Sequence, residues 1–341
     1  MKDNKPVLSG LSLQALQNLL PDLPAYRAHQ VFQWMSRGAP SFQTMSDIPI
    51  SLRESLDRRC ALYSSSIADQ LEDSDGTVKL QLILHDKERI ESVLLSDGAG
   101  RKTACLSTQA GCPMACVFCK TGRRGFSRNL NTGEIVEQFL HLRSIAGDID
   151  SIVVMGMGEP LLNLPELRKA VEILTDPEGI GLSKRRITLS TCGIVQGIRE
   201  LADLGPQVRL AVSLTAGDPV LREQLMPVTK TNPLPALKDA LQYYQRKYGQ
   251  RITLEAVLLG GTNTREIDLQ AFAAFAEGLD AIVNVIPWNP VEGARCGKTP
   301  LREPFREEIE RFIRGLERRG LKVTRRLRKG QGIAGACGQL A

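Results

Sequence analysis

Three cysteines, Cys112, Cys116 and Cys119, stand at C-x3-C-x2-C spacing inside "ACLSTQAGCPMACVFCKTG" (104–122). Thiolates are soft ligands and select zinc or iron–sulfur. Structural zinc takes four closed ligands. Of the three histidines, His29, His85 and His141, none has ligand spacing to this group. Three thiolates on a four-iron cluster leave one iron open to an exchangeable ligand. Spacing alone therefore leaves three readings: a 4Fe–4S cluster with an open iron, a zinc site, or unligated thiols. Cys105 lies seven residues ahead and does not fit the set. Cys337 sits in "GACGQL", between Gly335 and Gly338, which free the backbone around it. Cys60 and Cys296 have the default reading of inert thiols.

Polar residues recur where apolar runs end. "MGMGEPLLN" places Gly158 and Glu159 after the run "SIVV". Such a stretch can be a tight turn, but an acid at a strand end inside a barrel needs a partner. Ser190 closes "RITLS", and Ser213-Leu214-Thr215 closes "VRLAV". Asn289 in "IPWNP" reads locally as an Asn-Pro turn, though its amide could both donate and accept. Glu91 in "ESVLL" reads locally as an exposed strand carboxylate.

The elements that must carry these residues follow from periodicity. Residues 1–63 read as a small helical accessory domain, with i, i+3, i+4 apolar spacing in "SLQALQNLL" and "RAHQVFQWMS". Residues 64–98 read as a β-hairpin linker, "TVKLQLIL" and "ERIESVLL" joined at His85-Asp86-Lys87. From 99 to 341 six strand-like runs alternate with helix-like segments: "TACLST", "SIVVMGM", "RITLSTC", "VRLAVSL", "RITLEAVLL" and "AIVNVIP". That alternation predicts an α/β fold with a parallel sheet, a partial (β/α)6 barrel. In barrels of this type chemistry sits at the C-terminal strand ends.

Composition narrows the class. The chain has 341 residues, 42% hydrophobic and 24% charged, which fits a globular enzyme and not a disordered chain. No stretch approaches the roughly 18 apolar residues of a membrane span, so a soluble, cytoplasmic protein is expected, with reduced cysteines. Net charge is +6, and "RRGLKVTRRLRK" (318–329) holds seven Lys/Arg and no acid. With Arg123, Arg124 and Arg128, this run suits a phosphate backbone or a solvated basic face.

The motifs together resemble the RlmN/Cfr family of radical S-adenosylmethionine (SAM) RNA adenine methyltransferases. The resemblance runs through "RAHQVFQWM", "ESVLL", "CLSTQAGCPMACVFCKTG", "GFSRNL", "MGMGEPLLN", "RRITLSTCG", "LAVSL", "NVIPWNP" and "ACGQL". It implies a 4Fe–4S cluster on Cys112, Cys116 and Cys119, with SAM on the open iron. It implies SAM contacts from Gly158, Glu159, Ser190, Ser213, Leu214, Thr215 and Asn289. It implies that Cys337 carries a methyl group, that Cys105 pairs with Cys337 in a transient disulfide, and that Glu91 or Cys105 takes the ring proton. The implied product is C2-methylated adenosine in 23S rRNA and in tRNA, with an electron donor such as flavodoxin and a monomeric enzyme. C8 methylation, another RNA target, and an RNA-binding protein with a structural metal are the alternatives. Thr215 stands where the family has His, and Cys192 where it more usually has Ser.

Overall fold

The computed structural model describes residues 5–341. Two proline-introduced helices and one capped by Ser12 open it: α1 (Leu13–Leu19), α2 (Ala25–Ser36) after Pro24, and α3 (Ile50–Arg59) after Pro49. Proline suits helix starts, where an N–H is not needed. Their apolar stripes, including Leu16, Phe32, Met35 and Leu56, close around a core separate from the barrel's.

The chain then enters a ten-stranded sheet. Strands β1 (Ser66–Glu72), β2 (Val78–Ile83) and β3 (Arg89–Ser96) pair antiparallel, and β3 pairs antiparallel with β4 (Lys102–Cys105). The expected hairpin is β2–β3. It is built into the barrel sheet through β4, and β1 extends it by one strand. β1 is exposed at every residue, so it carries no apolar alternation for sequence to reveal.

A short ribbon, β5 (Gln109–Gly111) with β6 (Phe126–Asn129), brackets α4 (Lys120–Arg124). After α5 (Thr132–Ala146) come β7 (Ser151–Val154), α6 (Leu164–Thr175), β8 (Ile187–Thr191), α7 (Val195–Leu204) and β9 (Arg209–Ser213). Helices α8 (Pro219–Leu225) and α9 (Leu234–Tyr248) lead to β10 (Ile252–Leu258), and α10 (Glu266–Ala276) leads to β11 (Ala281–Pro287). A small hairpin, β12 (Arg295–Cys296) and β13 (Thr299–Pro300), precedes α11 (Arg306–Arg318) and β14 (Lys322–Arg325).

β4, β7, β8, β9, β10 and β11 pair parallel in that order, as the six apolar runs predict. β14 adds a seventh parallel strand beside β11. It lies in the basic run, which is therefore partly a sheet edge. Arg326 and Arg328 turn inward from it: Arg328 pairs with Glu303 and donates to the Trp288 carbonyl. The barrel stays open because β1 and β14 are both edges.

A buried acid helps fix the accessory region to the barrel. Glu137 on α5 is fully buried. Its carboxylate accepts from the Ser64 and Ser65 backbone N–H groups at 2.7 and 2.8 Å, and from the Ser9 hydroxyl. No helix among the described residues is long and apolar enough to cross a membrane.

Candidate active site

The cysteine loop is shaped by the ribbon that frames it. Gly111 has φ +77°, and a Cβ there would collide with the Gly125 carbonyl. That carbonyl instead accepts from Cys112 N–H at 2.8 Å. Val117 N–H binds the Leu225 carbonyl, and the Trp288 indole donates to the Phe118 carbonyl at 2.9 Å. The loop is therefore held by backbone bonds on both sides. All three cysteines line one cleft that opens to solvent. Burial pushes the Cys112 thiol up to about 12 and raises Cys116 and Cys119 as well.

Among the described residues, no three Cys, His, Asp or Glu groups converge as ligands of a single metal ion. A closed zinc site, with sulfurs about 2.3 Å from the metal, has no support here. Three thiols around one cleft, Cys112 and Cys116 buried and Cys119 partly so, with no fourth protein ligand, fit a cluster that keeps one iron open.

The strand ends face the same cleft. Gly158 (φ +105°) passes so close that a Cβ would lie 2.6 Å from Gln109 Cβ. Glu159 is buried, and its carboxylate accepts from Leu161 N–H at 3.1 Å and Cys192 N–H at 2.8 Å. Burial raises its pKa, and those bonds pull the other way. Ser190, Ser213 and Asn289 also line the cleft.

Leu214 and Thr215, expected as SAM contacts, do not line it. Thr215 has φ +60°, and its buried hydroxyl lacks a hydrogen-bond partner among the described residues. Its backbone is fixed instead: Thr215 N–H binds the Glu255 carbonyl, and Asn263 donates to its carbonyl.

A second cavity of about 540 Å³ adjoins the first. Cys105, Cys337, Met155, Asn289 and Arg326 line it, and all but Cys105 line the first cleft too. All eight cysteines are free thiols. Cys105 and Cys337 face one shared cavity and are not bonded to each other. Burial pushes the Cys105 thiol up to about 12, with Arg326 pulling it down.

The Cys337 segment is strapped across these cavities. Asn289 Nδ2 donates to the Cys337 carbonyl at 3.1 Å, and Lys120 N–H binds the Gly338 carbonyl at 2.8 Å. From the β1–β2 turn, Asp73 accepts Gly332 N–H at 2.9 Å and Asp75 accepts Gly330 N–H at 3.0 Å. Glu91 lines neither cavity. It is buried, pairs with buried Lys79 at 3.0 Å, and accepts Ala341 N–H at 2.9 Å.

Sequence reasoning missed three residues. Arg222 is fully buried and ties Leu214, Ser213 and Cys192 carbonyls together across β8 and β9. In "PVLREQL" nothing sets it apart from a surface helix residue. Arg326 lay in a basic run that suggested only a patch. Glu255 left a clear signal: an acid in the middle of the apolar run "ITLEAVLL".

The open parallel barrel and its three-cysteine loop define a radical SAM enzyme. Residues 106–273 match the family model described as the radical SAM superfamily, and residues 7–62 match that of the ribosomal RNA large subunit methyltransferase N-terminal domain. The chain is 50% identical over 340 residues to a protein of Treponema denticola named as a probable dual-specificity RNA methyltransferase RlmN, covering all of this chain and 96% of that one. A protein of Treponema pallidum with the same name is 48% identical over 98% of this chain and 96% of its own. A crystal structure of a radical SAM methyltransferase from Sphaerobacter thermophilus superposes with TM-score 0.92 at 37% identity, covering 98% of this chain and 99% of that one. The chain belongs to the RlmN family of radical SAM methyltransferases. As such it uses a 4Fe–4S cluster and SAM.

Proposed function

We propose that this enzyme methylates C2 of an adenosine in 23S rRNA, and in tRNA, through a methyl group carried on Cys337. The observation that carries the reading is that Cys337 lines both the cysteine-loop cleft and the cavity it shares with Cys105. That position supports a single residue that receives a methyl group on one side and delivers it on the other.

Cys112, Cys116 and Cys119 would hold the cluster, and Gly158, Glu159, Ser190, Ser213 and Asn289 would bind SAM. Bound there, the cluster and SAM supply a methyl group and a hydrogen-abstracting radical, chemistry that an electron-poor ring carbon requires. Cys337 acts as thiolate nucleophile toward the methyl group. Asn289 holds the Cys337 carbonyl and fixes the sulfur's approach. Cys105, inside the shared cavity, is better placed than Glu91 to take the ring proton. Once it has passed that proton to the transferred carbon, the Cys105 thiolate attacks the Cys337 sulfur: the sulfur–carbon bond breaks, a sulfur–sulfur bond forms, methyladenine leaves, the one surplus electron returns to the electron carrier, and an external reductant reopens the disulfide. Glu91 and Lys79 hold the Cys337 segment over the cavity.

An adenine must leave its stack to enter, so an RNA loop is the expected substrate. Lys120, Arg123 and Arg124 beside the Cys337 segment suit its phosphates. A flavodoxin-type protein would supply electrons to a monomeric enzyme. The test is anaerobic reconstitution with unmodified rRNA and tRNA, followed by nucleoside mass spectrometry. 2-Methyladenosine is expected. Its absence with an intact cluster overturns the reading, and 8-methyladenosine moves the reaction to C8.

A further inference from the structure

The basic run that leaves β14 inverts the usual partition of side chains. Arg326 and Arg328 turn inward, with side chains 22% and 25% exposed. Leu327 between them turns outward and is 76% exposed, the most exposed large apolar side chain among the described residues. Arginine ordinarily lies at the surface and leucine inside. A lone surface leucine needs no explanation, but this one stands at a functional place. It lines the cavity that Cys105 and Cys337 share, and also a neighbouring hollow lined by Arg306 and Arg325. Its position is fixed from both sides. Arg326 N–H donates to the Val285 carbonyl at 2.9 Å, and the Arg328 guanidinium donates to the Trp288 carbonyl at 2.8 Å. An apolar knob is thus held at the cavity rim, with exposed Arg325 and half-buried Lys329 two residues to either side.

An adenine that leaves its stack opens a gap and exposes the faces of its neighbours. Nucleic-acid-binding proteins fill such gaps with apolar wedges, and leucine is one of the side chains used. Cations beside the wedge suit the phosphates of the parted backbone. We propose that Leu327 is an RNA wedge: it enters the stack beside the target adenine and holds that base extruded toward the Cys105–Cys337 cavity. It touches the RNA and none of the reacting atoms. Arg325 and Lys329 steady the strand on either side of it.

This rests on the RNA-adenine reading of the site, and the test separates the two. The anaerobically reconstituted full-length enzyme is given an unmodified tRNA transcript that it methylates, with 2-aminopurine beside the target adenosine to report unstacking by fluorescence. The wild type should brighten the probe. Leu327→Ala should lose most of that signal and lower kcat/KM about tenfold, with iron per chain and SAM affinity unchanged. Leu327→Met still fills the gap and should keep kcat/KM within about twofold. A transcript with an abasic neighbour has its stack already open, and Leu327→Ala should methylate it at close to the wild-type rate. Equal fluorescence and kcat/KM in wild type and Leu327→Ala overturn the inference. A Leu327→Ala loss of the same size on intact and abasic transcripts overturns it too. If Leu327→Ala slows only the reduction of the cluster by flavodoxin, the knob docks an electron carrier and the inference fails. A wild type that keeps its cluster and methylates no RNA sinks the reading of the site itself; one that methylates RNA regardless of Leu327 sinks only this inference.

Discussion

The two cysteine-bearing segments of the site are held in different ways. The Cys112–Cys119 loop is bound by backbone groups of neighbouring elements and by glycines that admit no side chain. The Cys337 segment is held mostly by side chains reaching from outside it: Asp73, Asp75, Lys79, Glu91 and Asn289. A backbone-built loop suits a permanent cofactor. A segment tied by a few polar bonds can be released without unfolding the barrel, which suits a thiol that must visit two cavities.

That contrast breaks first at the cluster. Cys116→Ala should remove bound iron and brown colour altogether, and methyl transfer with them, measured as iron per chain and methyladenosine formed. Retained iron at wild-type level would show that the loop is not the cluster site.

Glu91→Gln should cost about 3 kcal/mol of stability, because it leaves Lys79 buried without its counterion. Turnover should fall at least about tenfold while the iron content stays. Pairing it with Lys79→Met should recover stability in a denaturant titration without recovering turnover, since the bond to Ala341 is still weakened.

A smaller effect is expected at the β1–β2 turn. Asp73→Asn with Asp75→Asn should cost about 1 kcal/mol per bond. Amide exchange at Gly330 and Gly332 should quicken and turnover drop severalfold, with SAM affinity unchanged. Unaltered exchange would mean that the turn does not tether the segment. The smallest effect lies outside both segments. Thr215→Asn relieves a left-handed β-branched residue and should stabilise by about 1 kcal/mol. SAM affinity should not change, because Thr215 does not line the cleft.

The six parallel strands were legible because both their faces are covered, and covered strands read as apolar runs. β1 and β14 were not: each is a sheet edge with mostly exposed, polar residues. The cysteine loop and the polar strand ends were legible from spacing, since a cluster constrains its ligands locally. Arg222 and Asp73 were not, because their partners lie far away in sequence and only the fold brings them together. Leu214 and Thr215 differ again: they follow a cleft residue, Ser213, yet neither lines the cleft, and Thr215 takes a left-handed backbone there.

The central claim is that Cys337 carries the methyl group. Enzyme incubated with methyl-labelled SAM, then digested and analysed by mass spectrometry, tests it directly. The Cys337 peptide should gain one labelled methyl while the Cys105 peptide gains none, and adding RNA should move the label into methyladenosine. Methylated RNA formed while Cys337 is never labelled, or formed at undiminished rate by Cys337→Ala, would contradict the account.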